Sequence, residues 1–174
     1  IVAVNMSLGS GNHVDPVSQG AYADELRALQ ERWPETTKVY AAVVHGRMDK
    51  ASGLAISHLV ESGVHKVYST RDTAQGKLAR TAWKVVQERG EYTLLDIELL
   101  TGRKHQIRVQ MAHVGAPIVG DVRYGDAAKD AVLFKGKHGR LYLHAYRLVF
   151  KHPHTRKSIT IIAPVPAEFG ALLP

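Results

Sequence analysis

Apolar and polar residues alternate with a period of two along much of this chain. In residues 140–153 Leu141, Leu143, Ala145 and Leu148 alternate with Tyr142, His144 and Arg147, with a slip near Tyr146. Residues 92–100 (YTLLDIELL) alternate well enough for a half-buried strand. Residues 2–5, 38–46, 65–70 and 157–166 are further short β-rich runs. Residues 77–88 fit a helix or a strand by pattern alone; Gly90 and the strand after it favour one arm of a hairpin. Helical spacing shows twice. Leu26, Leu29 and Trp33 share a face in residues 21–33, which Pro34 ends. Ile107, Met111 and Ala112 share a face in residues 105–113. Residues 7–20, rich in glycine and without apolar periodicity, read as loop. The pattern predicts an α+β fold with a mainly antiparallel sheet and few helices, as a single domain over residues 1–174.

Composition narrows the class. At 174 residues with 45% hydrophobic and 22% charged content, the chain suits one domain with a real core. It has no cysteine, so disulfides and thiolate metal sites are excluded. No apolar run reaches the length of a membrane helix. These features predict an intracellular protein, of the cytoplasm or of a mitochondrion. The net charge of +7 favours a polyanionic partner, nucleic acid first. Ten histidines raise the question of a metal. The tightest pair, His152 and His154, is flanked by Lys151 and Arg156, and a turn between two strands is the expectation there.

One segment is denser in special residues than any other: LLTGRKHQIRVQMAHVGAPIVGDVRYG, residues 99–125. Thr101 and Gly102 make a turn after a strand. Arg103, Lys104 and Arg108 then crowd the strand exit and the first helical turns, a cluster that attracts an anion. Residues 115–125 must turn repeatedly. A second basic stretch, KGKHGR, is expected as a tip between strands; it either touches phosphate or is a solvated loop. Trp33 and Trp83 are expected to pack against the core rather than to stack on bases.

The dense segment strongly resembles the RluA-type pseudouridine synthases, whose motif reads like TGR-HQIRVH-AH-G-PI-GD--YG. Thr101, Gly102, Arg103, His105, Gln106, Ile107, Arg108, Val109, Ala112, His113, Gly115, Pro117, Ile118, Gly120, Asp121, Tyr124 and Gly125 match it in order. KVYAAVVHG resembles the family's K-x-Y strand, GKLART its G-K-x-A-x-T strand, and the run from LYLHA to APVPAEF its ending. The resemblance implies the pseudouridine synthase fold, a mixed, mostly antiparallel sheet with a few flanking helices. It implies isomerisation of uridine to pseudouridine in ribosomal or transfer RNA, with no metal and no organic cofactor. It implies that Tyr40 holds the flipped base and that Arg108 pairs with a catalytic aspartate; the two should face each other across a cleft. Arg103, Lys104, His105, Lys135 and Lys137 are the expected RNA contacts.

The family's catalytic aspartate lies in H-R-L-D-x-x-T-S-G, ahead of the tyrosine strand, and no intact copy stands there. Asp15 in NHVDPVSQG keeps the spacing to Gly20 but lacks the arginine, so residues 6–20 are shortened or divergent. Asp49 in HGRMDKASGL follows the tyrosine strand directly and is expected as a loop residue. Three readings stay open: a deletion leaving a catalytically inactive relative that acts as an RNA-binding or ribosome-assembly factor, a catalytic segment outside this sequence, or Asp15 as a divergent catalyst. Without that aspartate, Arg108 is expected to meet solvent, RNA phosphate or a substitute acid.

Overall fold

The computed structural model describes residues 36–62, 66–137, 139–152 and 154–173. The readings placed on residues 1–35, among them the helix over residues 21–33, Trp33 and Asp15, lie outside the described residues. Seven strands form one sheet: β1 (Thr37–His45), β2 (Ser52–Ser62), β3 (Lys66–Thr70), β4 (Lys77–Arg89), β5 (Tyr92–Leu99), β6 (Leu143–Lys151) and β7 (Ser158–Ile162). Their order is β3-β2-β4-β5-β1-β6-β7, and every strand pairing among the described residues is antiparallel. Among the described residues three short helices accompany it: α1 (Gln106–His113), α2 (Ala127–Leu133) and α3 (Ala167–Ala171). Among the described residues no helix is long and apolar enough to cross a membrane.

Alternation located the strands well where one face is buried. Residues 77–88 are a strand, β4, paired with β5 across the turn at Gly90. The slip near Tyr146 is a register shift: Val39 pairs with Arg147 but Tyr40 with Ala145, so Tyr146 is an extra residue, a β-bulge. The bulge sends the Tyr146 hydroxyl to Asp96 Oδ1, to which it donates at 2.9 Å. β2 escaped the sequence reading because its outward side chains are apolar: Leu54 and Ile56 are exposed while Ala55 is buried, so no alternation shows. Asp49 sits in the exposed bend ahead of β2, as expected of a loop residue.

Directly opposed residues share a sheet face. Tyr40, Ile97, Trp83 and Gly53 stand in one row across β1, β5, β4 and β2. Gly53 must be glycine there, since a Cβ would enter the Trp83 indole. Trp83 is thus half-buried packing, as its sequence context suggested.

Helix α1 lies on this same face, and two buried glutamines attach it. Gln106 Nε2 donates to Thr81 Oγ1 at 2.8 Å and to the Arg80 carbonyl at 3.0 Å. The Thr81 hydroxyl donates onward to Gln110 Oε1 at 2.6 Å. Gln110 Nε2 donates to Ser57 Oγ at 3.0 Å and to the Ala79 carbonyl at 3.1 Å. Ile107 and Met111 are buried as expected, but Ala112 is only half-buried and both glutamines are more buried than it. Apolar spacing alone points to the Ile107, Met111 and Ala112 face, whereas polar side chains seat this helix. Replacing Gln110 with methionine leaves the Thr81 hydroxyl without its acceptor in a dry site, and should cost about 1–3 kcal/mol. Urea unfolding should show a lower midpoint with an unchanged slope.

The residues after α1 complete the sheet around β1. Val44 bridges Ile118, the Val119 amide donates to the Val43 carbonyl at 2.9 Å, and the Tyr142 amide donates to the Val119 carbonyl at 2.9 Å. The second half of the dense segment is therefore stitched between β1 and the approach to β6. Helix α2 follows. It holds that loop through Asp130, which accepts from the Gly120 amide at 3.0 Å and from buried His45 Nε2 at 2.8 Å, with the imidazole N–H as donor. Lys135 and Lys137 follow α2, so the stretch expected as a tip between strands has a helix before it. Residues 126–134 were not read as a helix because α2 buries none of its residues fully and offers no apolar stripe.

Candidate functional site

Arg108 projects from the first turns of α1 and meets an acid thirteen positions on. Its Nε donates to Asp121 Oδ2 at 2.7 Å and its Nη2 donates to Asp121 Oδ1 at 2.6 Å. This is the bidentate fork that only arginine offers a carboxylate. Asp121 Oδ1 also accepts the Arg123 amide at 3.0 Å and the Tyr124 amide at 3.1 Å. The Asp121 side chain is 1% exposed and that of Arg108 15%. Burial alone pushes the Asp121 carboxyl up, but the Arg108 hydrogen bonds and charge, with the two amides, outweigh it and hold it below the usual carboxylate value. Asp121 is therefore held in its ionised form, with three donors on Oδ1 and the Arg108 Nε–H on Oδ2. Of the three fates expected for Arg108, a substitute acid is the one it meets.

Tyr124 and His105 finish the cluster. The Arg108 guanidinium lies 5.1 Å from the Tyr124 ring centroid, a cation–π contact. The Tyr124 hydroxyl and His105 Nδ1 are 2.9 Å apart, with the rings edge to face. His105 takes a left-handed backbone, φ 54°, at the start of α1. A non-glycine residue in that region is held there by its surroundings. Burial first, then the charges of Arg108, Arg123 and Lys104, lower its pKa from 6.5 to about 4. The imidazole is thus neutral at physiological pH.

A pH prediction follows from the sign of that shift. The folded state binds the His105 proton less tightly than the unfolded state does. Its contribution to stability is present above pH 6.5 and is lost as the pH falls from 6.5 towards about 4. The thermal midpoint should fall over that window, and His105→Asn, which cannot titrate, should flatten part of the fall.

Tyr40 is 5% exposed, on the sheet face that carries α1, in the same apolar cluster as Ile107. Two residues earlier on the same face is Lys38, 3% exposed, with its pKa lowered by burial from 10.5 to about 8. Tyr40 and Arg108 therefore lie on one side of the sheet, although no described contact joins them. In the sequence Lys38 shows only as part of the K-x-Y string and Asp121 only as part of the motif, with no role attached to either. The signal for Asp121 was its place in a turn four residues before a glycine, where an aspartate caps backbone amides.

The expected RNA contacts separate into two places. Arg103 Nε donates to the Leu78 carbonyl at 3.1 Å, and Arg103, Lys104 and His105 are all half-buried beside Arg108 in the chain. Lys135 and Lys137 are exposed beyond α2, and no described contact links them to that cluster. Among the described residues no group of three or more histidine, aspartate or glutamate side chains could hold a metal ion. His152 and His154 lie in the turn between β6 and β7, where His152 Nδ1 accepts the His154 and Thr155 amides at 3.2 and 3.1 Å.

Comparisons with known proteins agree with this architecture. The chain is similar to the human RNA pseudouridylate synthase domain-containing proteins 1 and 4, with TM-scores of 0.65 and 0.67 at 22% and 20% identity, over 83% and 86% of this chain and 60% and 65% of theirs. At that identity the likeness shows the fold. In sequence the chain is 36% identical over 150 residues to ribosomal large subunit pseudouridine synthase C of Vibrio cholerae, covering 85% of this chain and 47% of that protein. It is 35% identical over 160 residues to ribosomal large subunit pseudouridine synthase D of Nitrosomonas europaea, covering 88% of this chain and 44% of that protein. The chain thus spans less than half the length of these curated relatives. Residues 18–113 match the profile of the RNA pseudouridylate synthases. With more than half of its residues in that match and relatives this similar over most of its length, the chain belongs to the RNA pseudouridylate synthase family.

Proposed function

We propose that this chain is the core of an enzyme that isomerises uridine to pseudouridine in RNA of the large ribosomal subunit. The observation that supports it most is the placement of Tyr40 and Arg108 on one sheet face, with Arg108 aimed by a buried carboxylate. Ribosomal large subunit RNA is the substrate class in the names of the similar proteins from Vibrio cholerae and Nitrosomonas europaea. In this reading the target uridine leaves its stack, and Tyr40 offers the ring against which the base rests. An aspartate acts as nucleophile or base while the glycosidic bond breaks, uracil turns, and C5 joins the sugar. Arg108 keeps that aspartate ionised. Asp121 is a poor candidate for that aspartate, because its side chain is 1% exposed and is tied on both oxygens to Arg108.

Turnover tests the reading. RNA of the large subunit labelled with tritium at uridine C5 releases label to water when C5 becomes the glycosidic carbon. The 174-residue chain alone is expected to bind this RNA without converting it, since no intact H-R-L-D motif stands in it. Conversion by this chain that disappears in Asp15→Asn would make Asp15 the catalyst. Conversion by the native form alone would place the catalytic aspartate in a segment outside this sequence. Binding without conversion by any form would favour an inactive relative that acts on a ribosomal assembly intermediate.

Binding itself should depend steeply on salt. The chain carries a net charge of +7, and each phosphate neutralised releases counterions, so log affinity should fall linearly with log salt. Filter binding between about 50 and 200 mM salt reads the slope. Affinity that ignores salt would remove the electrostatic part of the proposal.

A further inference from the structure

We propose that Asp121 is a positioning residue that withholds Arg108 from the RNA backbone and reserves its outer edge for a single acceptor inside the site. The inference rests on the reading of this face as an RNA-modifying site and says which of its cations bind phosphate.

Four donors converge on the two oxygens of Asp121: Arg108 Nε and Nη2, and the amides of Arg123 and Tyr124. The amides belong to the backbone of the loop, so the carboxylate cannot turn with the arginine. The loop in turn is fixed by Asp130, which accepts from the Gly120 amide beside it, and by the bond from His45 to Asp130. A further restraint comes from Gly120: its φ of 73° and the contact a Cβ would make with the Arg140 carbonyl leave no room for another residue. The guanidinium is therefore held on one edge by a carboxylate of fixed direction and on one face by the Tyr124 ring.

Two consequences follow. The ion pair is neutral as a unit, so Arg108 adds little to the long-range field that draws RNA. Nε and one Nη2 hydrogen are spent on Asp121, which leaves the Nη1 side and the other Nη2 hydrogen as the donating edge. That edge has a fixed direction, suited to one acceptor, whereas a phosphate contact tolerates many. Within the Arg103, Lys104 and Arg108 cluster, Arg103 and Lys104 have no carboxylate partner among the described residues, and they are the two of that cluster left to take phosphate.

Inorganic phosphate is the probe that separates these roles. The chain, labelled with nitrogen-15, is titrated with phosphate at low salt and followed at the arginine Nε–H signals. In the unmodified chain the Arg103 signal is expected to move and that of Arg108 to stay. In Asp121→Asn the Arg108 signal should move as well. Asp121→Glu, which restores the acid, should return it to rest. Movement of Arg108 together with Arg103 in the unmodified chain would overturn the proposal, and this needs no variant to fold. A folded Asp121→Asn in which Arg108 still does not respond would overturn it too. The same chains are then titrated with large-subunit RNA. Asp121→Asn should steepen the salt slope by about one phosphate contact, and an unchanged slope would count against the proposal. Failure of the unmodified chain to bind that RNA would sink the functional reading, while the phosphate titration would still decide the role of Asp121.

Discussion

Asp121→Ala should be the most damaging single change to the stability of this domain, at about 3–5 kcal/mol, the cost of breaking a buried ion pair from one side. The carboxylate it removes is 1% exposed and satisfies four donors. Arg108, only 15% exposed, would keep its charge without its partner. The Arg123 and Tyr124 amides would lose their acceptor, and the loop that bridges β1 and β6 through Val119 would keep only its Asp130 anchor. Urea unfolding measures the loss. Because marginal domains hold about 5–15 kcal/mol in all, the variant should unfold at a markedly lower midpoint. The double change Asp121→Ala with Arg108→Met should recover much of the loss, since it removes the orphaned charge. A single variant within about 0.5 kcal/mol of the parent, the usual size of a surface change, would show that the pair does not hold the loop.

Among changes that leave the Arg108–Asp121 pair intact, Tyr40→Ala should have the largest effect on turnover by the native form. A base stacked on an aromatic ring gains about 1–3 kcal/mol, which corresponds to a fall of roughly 5- to 150-fold in kcat/KM. Tyr40→Phe keeps the ring and should lose far less if stacking is the function. Equal losses in the two variants would shift the role to the hydroxyl. Tyr40 is also part of the core, so the comparison is made on protein whose unfolding midpoint has been measured.

The strands of this fold were legible wherever one face met the core and the other met water. β5 and β6 alternate, and even the bulge at Tyr146 leaves its mark as a break in the alternation, whereas β4 fits helix or strand by pattern and is placed by Gly90 and the strand after it. β2 was not legible, because Leu54 and Ile56 put apolar residues on its exposed face. α2 was not legible because it buries no residue fully. The dense segment was visible as a sequence, and so was the cationic character of Arg103, Lys104 and Arg108. What the sequence could not show was which acid would neutralise which cation. That depends on a loop folding back thirteen residues to place Asp121 against Arg108, and no local periodicity encodes such a contact. The seating of α1 was hidden for a related reason: Gln106 and Gln110 look like surface residues until Thr81, Ser57 and the β4 carbonyls are beneath them.

The most direct test of the account is tritium release from large-subunit ribosomal RNA labelled at uridine C5, incubated with the native form of the protein and with its Tyr40→Ala and Arg108→Gln variants. The account predicts release, with pseudouridine found at discrete positions, a fall of roughly 5- to 150-fold for Tyr40→Ala and of about 100- to 1,000-fold for Arg108→Gln, the usual effect of removing one charge-stabilising donor from a site. Undiminished release by both variants, or no release by a native form that binds the RNA, would contradict it.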